Sequence, residues 1–382
     1  MKKTLLAAAL LAGFAGAASA QSSVTMYGLL DGGLRYNKVS LANGTGSSNF
    51  GLSYGNQSGN RLGFRGVEDI GGGNQVIFNL EAAVGLGSDS SLSFGRQAWL
   101  GLQNKSWGDV KLGRTTNYAT DYVGVPVDPF GTGFGQLNMG RAFGAANTDR
   151  VSNMIKYQSP NMSGFQAGIA YSFATGNTQA YTAAAGGGTA GTGYNFLTSN
   201  NARQLSLGAK YANGPIYVAA SYDKIYGEES KGQNASISSW NIAGTYDFKV
   251  VKIAAGYGQT RDGVILGNGA GGTGAQIGVS PIASGTPQLI FAPAVGTNSY
   301  IVGATIPVNP VSRVLLSWTM LTPNTNMKDA YNAQNQTAYN IGYTYDFTKR
   351  TNMYGFFGYM NNVATIDTAK STIVGLGLRH MF

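Results

Sequence analysis

Residue types that support catalysis or metal binding are scarce in this chain of 382 residues. It contains no cysteine and a single histidine, His380, which excludes disulfides, thiolate chemistry and a metal site built from several histidines of one chain. A hydrolase with a Ser-His-Asp site would have to use His380, which stands alone in a strand-like segment. We therefore predict no catalytic residue, no metal site and no cofactor.

Charged side chains remain as groups that can act through the electric field they create. The chain has 26 basic and 17 acidic residues, a net charge of +9. The basic residues are dispersed, one or two in each strand-like segment, so they form no patch for nucleic acid and we expect no such partner. Alternation places the following cations on the polar faces of their segments, together with Asp31 and Glu81: Arg35, Arg65, Lys111, Lys156, Lys210, Lys252 and Arg313.

The first 20 residues have the pattern of a secretory signal peptide. Lys2 and Lys3 form a basic start, an apolar run follows, and Ala18-Ser19-Ala20 is typical of a cleavage site. We predict a leader over residues 1–20 and one mature domain over 21–382. Without the two leader lysines, 24 basic residues remain against 17 acidic ones, a net charge of +7.

The C-terminal segment S-T-I-V-G-L-G-L-R-H-M-F, residues 371–382, shows how such a domain could meet a membrane. Val374, Leu376, Leu378 and Phe382 share one face, and the other face carries glycine and Arg379. A tilted strand of about 9–11 residues crosses a bilayer, and an aromatic residue at its end suits the membrane interface. Taken alone, the segment also fits a half-buried strand of a soluble sheet.

The same alternating unit recurs along the chain and favours the membrane interpretation. We count sixteen such segments, near 24–37, 60–69, 75–84, 93–105, 108–115, 150–158, 164–174, 202–213, 216–226, 236–249, 250–262, 297–307, 311–321, 336–347, 351–361 and 371–382. Tight turns alternate with connections that are mostly long and polar, at 38–59, 116–149, 175–201, 263–296 and 322–335, two of which contain the low-complexity stretches 183–193 and 267–275. This alternation predicts an all-β fold, a 16-stranded antiparallel transmembrane β-barrel with short periplasmic turns and long external loops.

The chain resembles the general diffusion porins of Gram-negative outer membranes, in the branch that includes neisserial, Bordetella and Burkholderia porins. The resemblance is carried by S-S-V-T-M-Y-G-L-L-D at 22–31, R-L-G-F-R-G-V-E-D-I-G-G-G at 61–73, R-Q-A-W-L-G-L at 96–102, D-V-K-L-G-R at 109–114, N-M-I-K-Y-Q-S-P-N-M-S-G-F at 153–165, Y-D-F-T-K-R-T at 345–351 and G-L-R-H-M-F at 377–382. It spans the whole mature chain. It implies a 16-stranded barrel, a homotrimer, and a third external loop folded into the lumen.

The third loop of the family maps onto residues 116–149, which share the greatest length among the predicted connections with 263–296. It carries Asp121, Asp128 and Asp149, two prolines and several aromatic residues, a composition that favours packing over disorder. We expect Asp121 and Asp128 to form the acidic side of the narrowest part of the pore. The alternative is a surface loop packed over the mouth of the barrel.

Opposite this loop, the resemblance implies a cluster of inward-facing arginines at Arg61, Arg96 and Arg150. The alternation of side chains along the strand supports a lumen-facing Arg61, because Leu62 and Phe64 lie on the other face. The same alternation is ambiguous for Arg96. Guanidinium groups stay charged, and a ring of cations in a narrow passage favours anions. The other interpretation is that each arginine merely pairs with an aspartate of the loop.

The predicted function is an outer-membrane porin, a water-filled channel for passive diffusion of small hydrophilic solutes and ions that prefers anions. The implied partners are two further copies in a homotrimer, outer-membrane lipid and lipopolysaccharide. Phe382 is expected to close the barrel and support its assembly. Alternatives are a substrate-specific outer-membrane channel, an outer-membrane hydrolase, which the lone His380 disfavours, and an added adhesin role of the long loops.

Overall fold

A computed structural model describes residues 23–41, 46–87, 92–147, 150–175, 201–228, 235–266 and 288–382. The predicted leader, the low-complexity stretches 183–193 and 267–275, and Asp149 lie outside these residues.

The described residues form one closed antiparallel sheet of 17 strand segments, in which each segment pairs with the next one along the chain, apart from the second and third, which both pair with the first. The segments are β1 (Ser23–Ser40), β2 (Gly46–Tyr54), β3 (Arg61–Gly71), β4 (Asn74–Ala83), β5 (Ser93–Asn104), β6 (Gly108–Thr116), β7 (Arg150–Gln158), β8 (Phe165–Ser172), β9 (Arg203–Asn213), β10 (Ile216–Tyr226), β11 (Ser236–Asp247), β12 (Lys252–Leu266), β13 (Gln288–Asn309), β14 (Ser312–Pro323), β15 (Gln336–Asp346), β16 (Thr351–Asn361) and β17 (Lys370–Met381). Both β2 and β3 pair with β1, so they share one position in the wall. The barrel is therefore 16-stranded, as the sequence predicts.

The outer face of the barrel is apolar. Every second side chain of a strand points outward, and these outward side chains are the apolar ones. In the register of β5, β6 and β7, Leu100 lies opposite Leu112, and Leu112 lies opposite Ile155. These side chains are 55%, 50% and 45% exposed, which forms a continuous hydrophobic band. Closure satisfies the backbone hydrogen bonds that lipid could not. Among the described residues, no helix combines the length and apolar character needed to cross a membrane.

The last strand closes the barrel on the first. β17 pairs with β1 from Leu29 opposite Met381 to Ser40 opposite Lys370. Beyond this ladder, the backbone N–H of Gly28 donates to the carbonyl of Phe382 at 3.0 Å, and the Phe382 N–H donates back to Gly28 at 3.1 Å. The Phe382 ring covers Gly28 so closely that a Cβ there would lie 2.2 Å from the ring. Glycine at this position therefore makes room for the terminal aromatic residue.

The connection between β6 and β7 folds into the barrel and packs against the inner wall. Its short helical turns are a π-turn (Ala119–Gly124), α1 (Val125–Val127) and 3₁₀ turns at Gly135–Leu137, Met139–Arg141 and Gly144–Ala146. We call its described residues, 117–147, the third loop. Its bulky residues meet wall glycines, where a Cβ would lie within 3.0 Å of the loop residue: Tyr118 at Gly168 and Gly208, Pro129 at Gly303, Phe130 at Gly342, Leu137 at Gly358 and Phe143 at Gly258. The glycine content of these strands thus accommodates the loop.

Besides the third loop, four stretches that the sequence predicted as connections contain regular structure. β2 forms within 38–59, where Phe50, Leu52 and Tyr54 alternate with small residues. β12 and β13 extend into 263–296, to Leu266 and from Gln288. Helix α2 (Thr325–Tyr331) forms within 322–335 and is capped by Asn324, and a 3₁₀ turn (Val363–Thr365) precedes β17. The alternation in β2 was a usable signal, but its brevity and polar surroundings hid it.

Candidate functional site

Loop and wall enclose a cavity of about 1000 Å³ inside the barrel. Its lining comes from the third loop, from residues 55–59, and from strands on several sides of the wall. Eight basic residues of the described chain line it: Arg35, Arg61, Arg96, Arg141, Arg150, Lys252, Arg313 and Arg379. Asp128 is the one acidic residue in the described lining. The lumen at this level is therefore strongly basic.

Arg61 and Arg96 share a carboxylate on the neighbouring strand. Nε of Arg96 lies 2.6 Å from Oε1 of Glu81, and Nη1 of Arg61 lies 3.7 Å from the same oxygen. The hydroxyl of Tyr27 donates to the other oxygen of Glu81 at 3.0 Å. Two arginines on one carboxylate leave an excess positive charge, and Glu81, rather than a loop aspartate, is their acidic partner.

A register shift accounts for the inward direction of Arg96, which the sequence left ambiguous because both faces of its strand are partly apolar. β4 and β5 pair regularly up to Glu81 opposite Gln97, and the next pair is Ala83 opposite Ser93. The extra residues of β5 form a bulge, and Arg96 points into the cavity although Leu100, an even number of residues away, is exposed on the outer face. No pattern in the sequence marks this bulge.

Arg150 is the first residue of β7 and lines the same cavity as Arg61 and Arg96. Its Nε is buried and has no hydrogen-bond partner among the described residues. The structure thus brings together the three arginines that the motifs indicated. We refer to Arg61, Arg96 and Arg150 as the arginine cluster.

The remaining cations of the lining are distributed around the wall. Arg379 donates to Asn352 at 2.9 Å and to Ser58 at 3.1 Å, and Arg313 pairs with Asp346. Arg379 and Arg141 were absent from the predicted inner cations. Arg379 could have been found, because it lies on the polar face of the last strand. Arg141 lies in the loop, where no periodicity applies; burial lowers its pKa to about 10, which leaves it charged at neutral pH.

Asp128 is buried at the inner turn of the third loop and serves the fold of that loop. Its Oδ1 accepts the N–H of Phe130 at 2.9 Å, and its Oδ2 accepts the N–H of Met139 at 2.6 Å. Burial raises the pKa of Asp128 to about 7, and the two N–H donors oppose this shift only in part. Near neutral pH its negative charge is therefore reduced.

Asp121 lies away from the arginine cluster. Its carboxylate accepts the hydroxyl of Thr116 at 2.6 Å and forms an ion pair with Lys156, which is buried. Lys156 also donates to the carbonyl of Thr116 at 2.8 Å and lies 4.5 Å from the centre of the Tyr118 ring. Asp121 was expected to face the arginines, but the structure does not place it there. Its carboxylate instead attaches the start of the loop to β7 through Lys156.

Several other cations on the inner wall lie over aromatic rings. These pairs are Arg65 with Tyr27, Lys111 with Trp99, Lys156 with Tyr118 and Lys210 with Tyr122. Such contacts fix a cation without neutralising it. Of the described residues, no three His, Cys, Asp or Glu side chains are close enough together to hold a metal ion.

A closed transmembrane barrel with an in-folded loop and a charged lumen defines a channel protein. The chain matches the family described as Gram-negative porin over residues 7–365 and belongs to that family. It is 43% identical to an outer membrane porin protein of Bordetella pertussis and 31% identical to outer membrane porin protein 32 of Delftia acidovorans, over 100% of each chain. The solved structure of an anion-selective porin from Comamonas acidovorans shares its fold, with a TM-score of 0.69, 23% identity, and coverage of 95% of this chain and 100% of that one. The protein is an outer-membrane porin that forms a passive diffusion channel.

Proposed function

We propose that this porin prefers anions and that the arginine cluster forms the basic side of its constriction. The observation that carries the proposal is the imbalance of the cavity lining, eight basic side chains against one carboxylate in the described chain. That carboxylate, Asp128, accepts two backbone N–H groups and is partly protonated near neutral pH. A narrow passage between low-dielectric walls concentrates such a field and draws in small anions.

The acidic side of the constriction differs in this proposal from the sequence expectation. Glu81, which lies on the wall outside the cavity lining, replaces Asp121 as the acidic partner of the arginines, because it contacts both Arg61 and Arg96. Asp128 keeps a place in the lining, where it acts on the fold of the loop more than on passing ions. Arginines that share one carboxylate remain net positive, so pairing and anion preference coexist.

We assign no catalysis to the chain. His380 lies on the exposed side of β17, where its Nδ1 is 2.8 Å from the hydroxyl of Thr351. No acidic partner of His380 occurs in the described residues, so the triad that hydrolysis needs is missing there. Residues 1–20 act as the export leader, and 21–382 form the mature barrel domain.

The functional assembly in this proposal is a homotrimer in outer-membrane lipid and lipopolysaccharide, closed in each copy at Phe382. The membership in the porin family supports the trimer, and the exposed hydrophobic band on the outer face supports the contact with lipid. Native mass spectrometry from detergent should give three copies per particle. A particle of one copy would contradict the assembly but not the channel.

Bilayer recording tests the ion preference. With a tenfold KCl gradient across the membrane, the reversal potential should have the sign of the chloride equilibrium potential. In a separate assay, swelling of liposomes should show passage of small uncharged sugars. The preference should weaken at high salt, because the Debye length falls from about 10 Å at 0.1 M to about 3 Å at 1 M. A potential with the sign of potassium permeation would contradict the proposal.

A further inference from the structure

The wall strand beside β1 is interrupted at a place that no motif marks. Gly32 of β1 lies opposite Tyr54 of β2, and Leu29 lies opposite Arg61 of β3. Between these pairs β1 advances by three residues while its partner advances by seven. The partner strand therefore carries four extra residues, and an even number keeps the inner and outer faces of β2 and β3 aligned. We call residues 55–60 the wall insertion.

The wall insertion is held in place by Asp31, which is fully buried. The N–H of Gly55 donates to the Asp31 carbonyl at 2.8 Å, and the N–H of Ser58 donates to its carboxylate at 2.6 Å. The Asp31 N–H donates to the side chain of Asn60 at 2.6 Å, and the hydroxyl of Tyr354 bonds to the second carboxylate oxygen. Asp31 lies on the inner face of β1 by its position in the alternation. Its carboxylate, however, is hydrogen-bonded within the wall and stabilises the insertion.

Residues of the wall insertion project into the lumen and contact four of its arginines. The carbonyl of Gly59 accepts Nε of Arg61 at 3.0 Å, and a Cβ on Gly59 would lie 2.8 Å from Nη1 of Arg96. The other two contacts are Arg35 to the side chain of Asn56 at 3.3 Å and Arg379 to the hydroxyl of Ser58 at 3.1 Å. Each of these groups lines the cavity.

The opposite side of the insertion receives the tip of the third loop. The N–H of Phe134 donates to the carbonyl of Asn56, and a Cβ on Gly133 would lie 1.8 Å from the carbonyl oxygen of Gln57. The loop backbone thus touches the insertion directly. The insertion lies between the arginines and the loop, and its position fixes the gap between them.

We infer that the wall insertion, residues 55–60, is a specificity-determining element of the channel, which sets both the width of the passage and the positions of Arg61 and Arg96. The charge-selective part of this inference rests on the proposed anion preference. The width does not, because it follows from the residues that occupy the lumen. Channel width and ion preference can therefore be tested separately.

Substituting Gly59→Ala tests the contact with Arg96. The backbone of Gly59 is not in the left-handed region, and the new methyl group meets only the end of a flexible side chain, so the barrel should still fold. We expect a conductance loss and a roughly 1.5-fold change in the permeability ratio of chloride to potassium, since a close charge moves within the passage. Gly51→Ala is the matched control, because a Cβ there has its nearest neighbour at 3.8 Å.

A double-mutant comparison separates this contact from a general disturbance. In an Arg96→Ser background, Gly59→Ala should change neither conductance nor permeability ratio, since the displaced guanidinium is absent. Gly51→Ala should be silent in both backgrounds. An equal effect of Gly59→Ala with and without Arg96, or no effect in either background, would overturn the inference for Arg96.

Deleting residues 56–59 tests the control of width. The deletion removes the four extra residues and leaves Gly55 and Asn60 opposite β1 in the original phase. We expect a folded barrel by circular dichroism, and conductance at 1 M KCl raised roughly twofold, because lining groups set the pore radius. A folded deletion variant with unchanged conductance would overturn the inference whatever the ion preference of the wild type. If the variant does not fold, the Gly59→Ala comparison decides alone.

Discussion

The charged groups of the wall and those of the third loop are used in different ways. On the wall, Arg61 and Arg96 share one carboxylate and Arg150 has an unpartnered Nε within the described residues. In the loop, Asp121 is paired with Lys156, and Asp128 accepts two backbone N–H groups. The formal charges suggest a balanced pair of opposing sides. The hydrogen bonds indicate that the charged side chains of the wall create the electric field in the passage, whereas those of the loop hold the loop in the shape that narrows it.

Replacing Asp128 with alanine should have the largest effect, because it removes the group that holds the loop turn together. The buried N–H groups of Phe130 and Met139 would lose their acceptor, at a cost of about 1–3 kcal/mol each. We expect proteolysis within the loop to accelerate roughly tenfold or more. Asp121→Ala is the control, since it disturbs the start of the loop and not this turn. Equal protection of Asp128→Ala and wild type would mean that the loop aspartate does not shape the loop.

The stability of the loop should depend on pH through the same residue. The pKa of Asp128 in the folded protein, about 7, lies above its ordinary value, so the folded state binds this proton more tightly. The stabilisation that this proton provides is complete below about pH 4 and is lost as the pH rises through 7, a total on the order of a few kcal/mol. Protection of the loop from protease should therefore be greater at pH 5 than at pH 8. In Asp128→Asn this difference should vanish, and a difference that persists would assign it to another group.

Neutralising Glu81 should strengthen the anion preference. Glu81→Gln leaves Arg61 and Arg96 without their shared negative charge, so chloride permeability should rise roughly twofold relative to potassium at low salt. Glu68→Gln, on an exposed end of β3, makes the same change in total charge and should have no effect. The wall would lose its assigned role if both variants gave equal shifts.

Neutralising Asp121 should have the smallest effect on ion preference. Its partner Lys156 stays buried and still donates to the carbonyl of Thr116. Asp121→Asn should lower the free energy of unfolding by less than the about 3–5 kcal/mol of a fully buried pair, because the Asp121 side chain is 35% exposed. The reversal potential should remain that of the wild type. A shift as large as that of Glu81→Gln would place the Asp121 charge in the passage after all.

The sequence predicts the wall of this barrel better than its interior. The two-residue period of Val374, Leu376 and Leu378 determines the outward face, and all three are exposed. The wall depends on local alternation, which a single sequence displays. The bulge that turns Arg96 inward depends on the register between β4 and β5, which alternation does not reveal.

Local alternation could not predict the partners of the loop aspartates either, because these contacts join distant parts of the chain. Asp121 meets Lys156, 35 residues further along the chain, and the choice depends on how the loop folds back on β7. The wall insertion was hidden because β2, the strand that precedes it, falls within the predicted loop 38–59, so the sequence showed no strand there that could be interrupted.

The ion preference of a triple arginine variant tests the central claim most directly, that the arginine cluster supplies the field of the constriction. Arg61, Arg96 and Arg150 would be replaced by serine, and the reversal potential measured in a KCl gradient near 0.1 M. The control replaces three exposed lysines outside the cavity lining, Lys105, Lys328 and Lys349, so that the total charge changes equally. We expect the chloride preference to fall roughly threefold or more in the arginine variant, less in each single replacement, and not at all in the control. A folded arginine variant with the reversal potential of the wild type would contradict that claim.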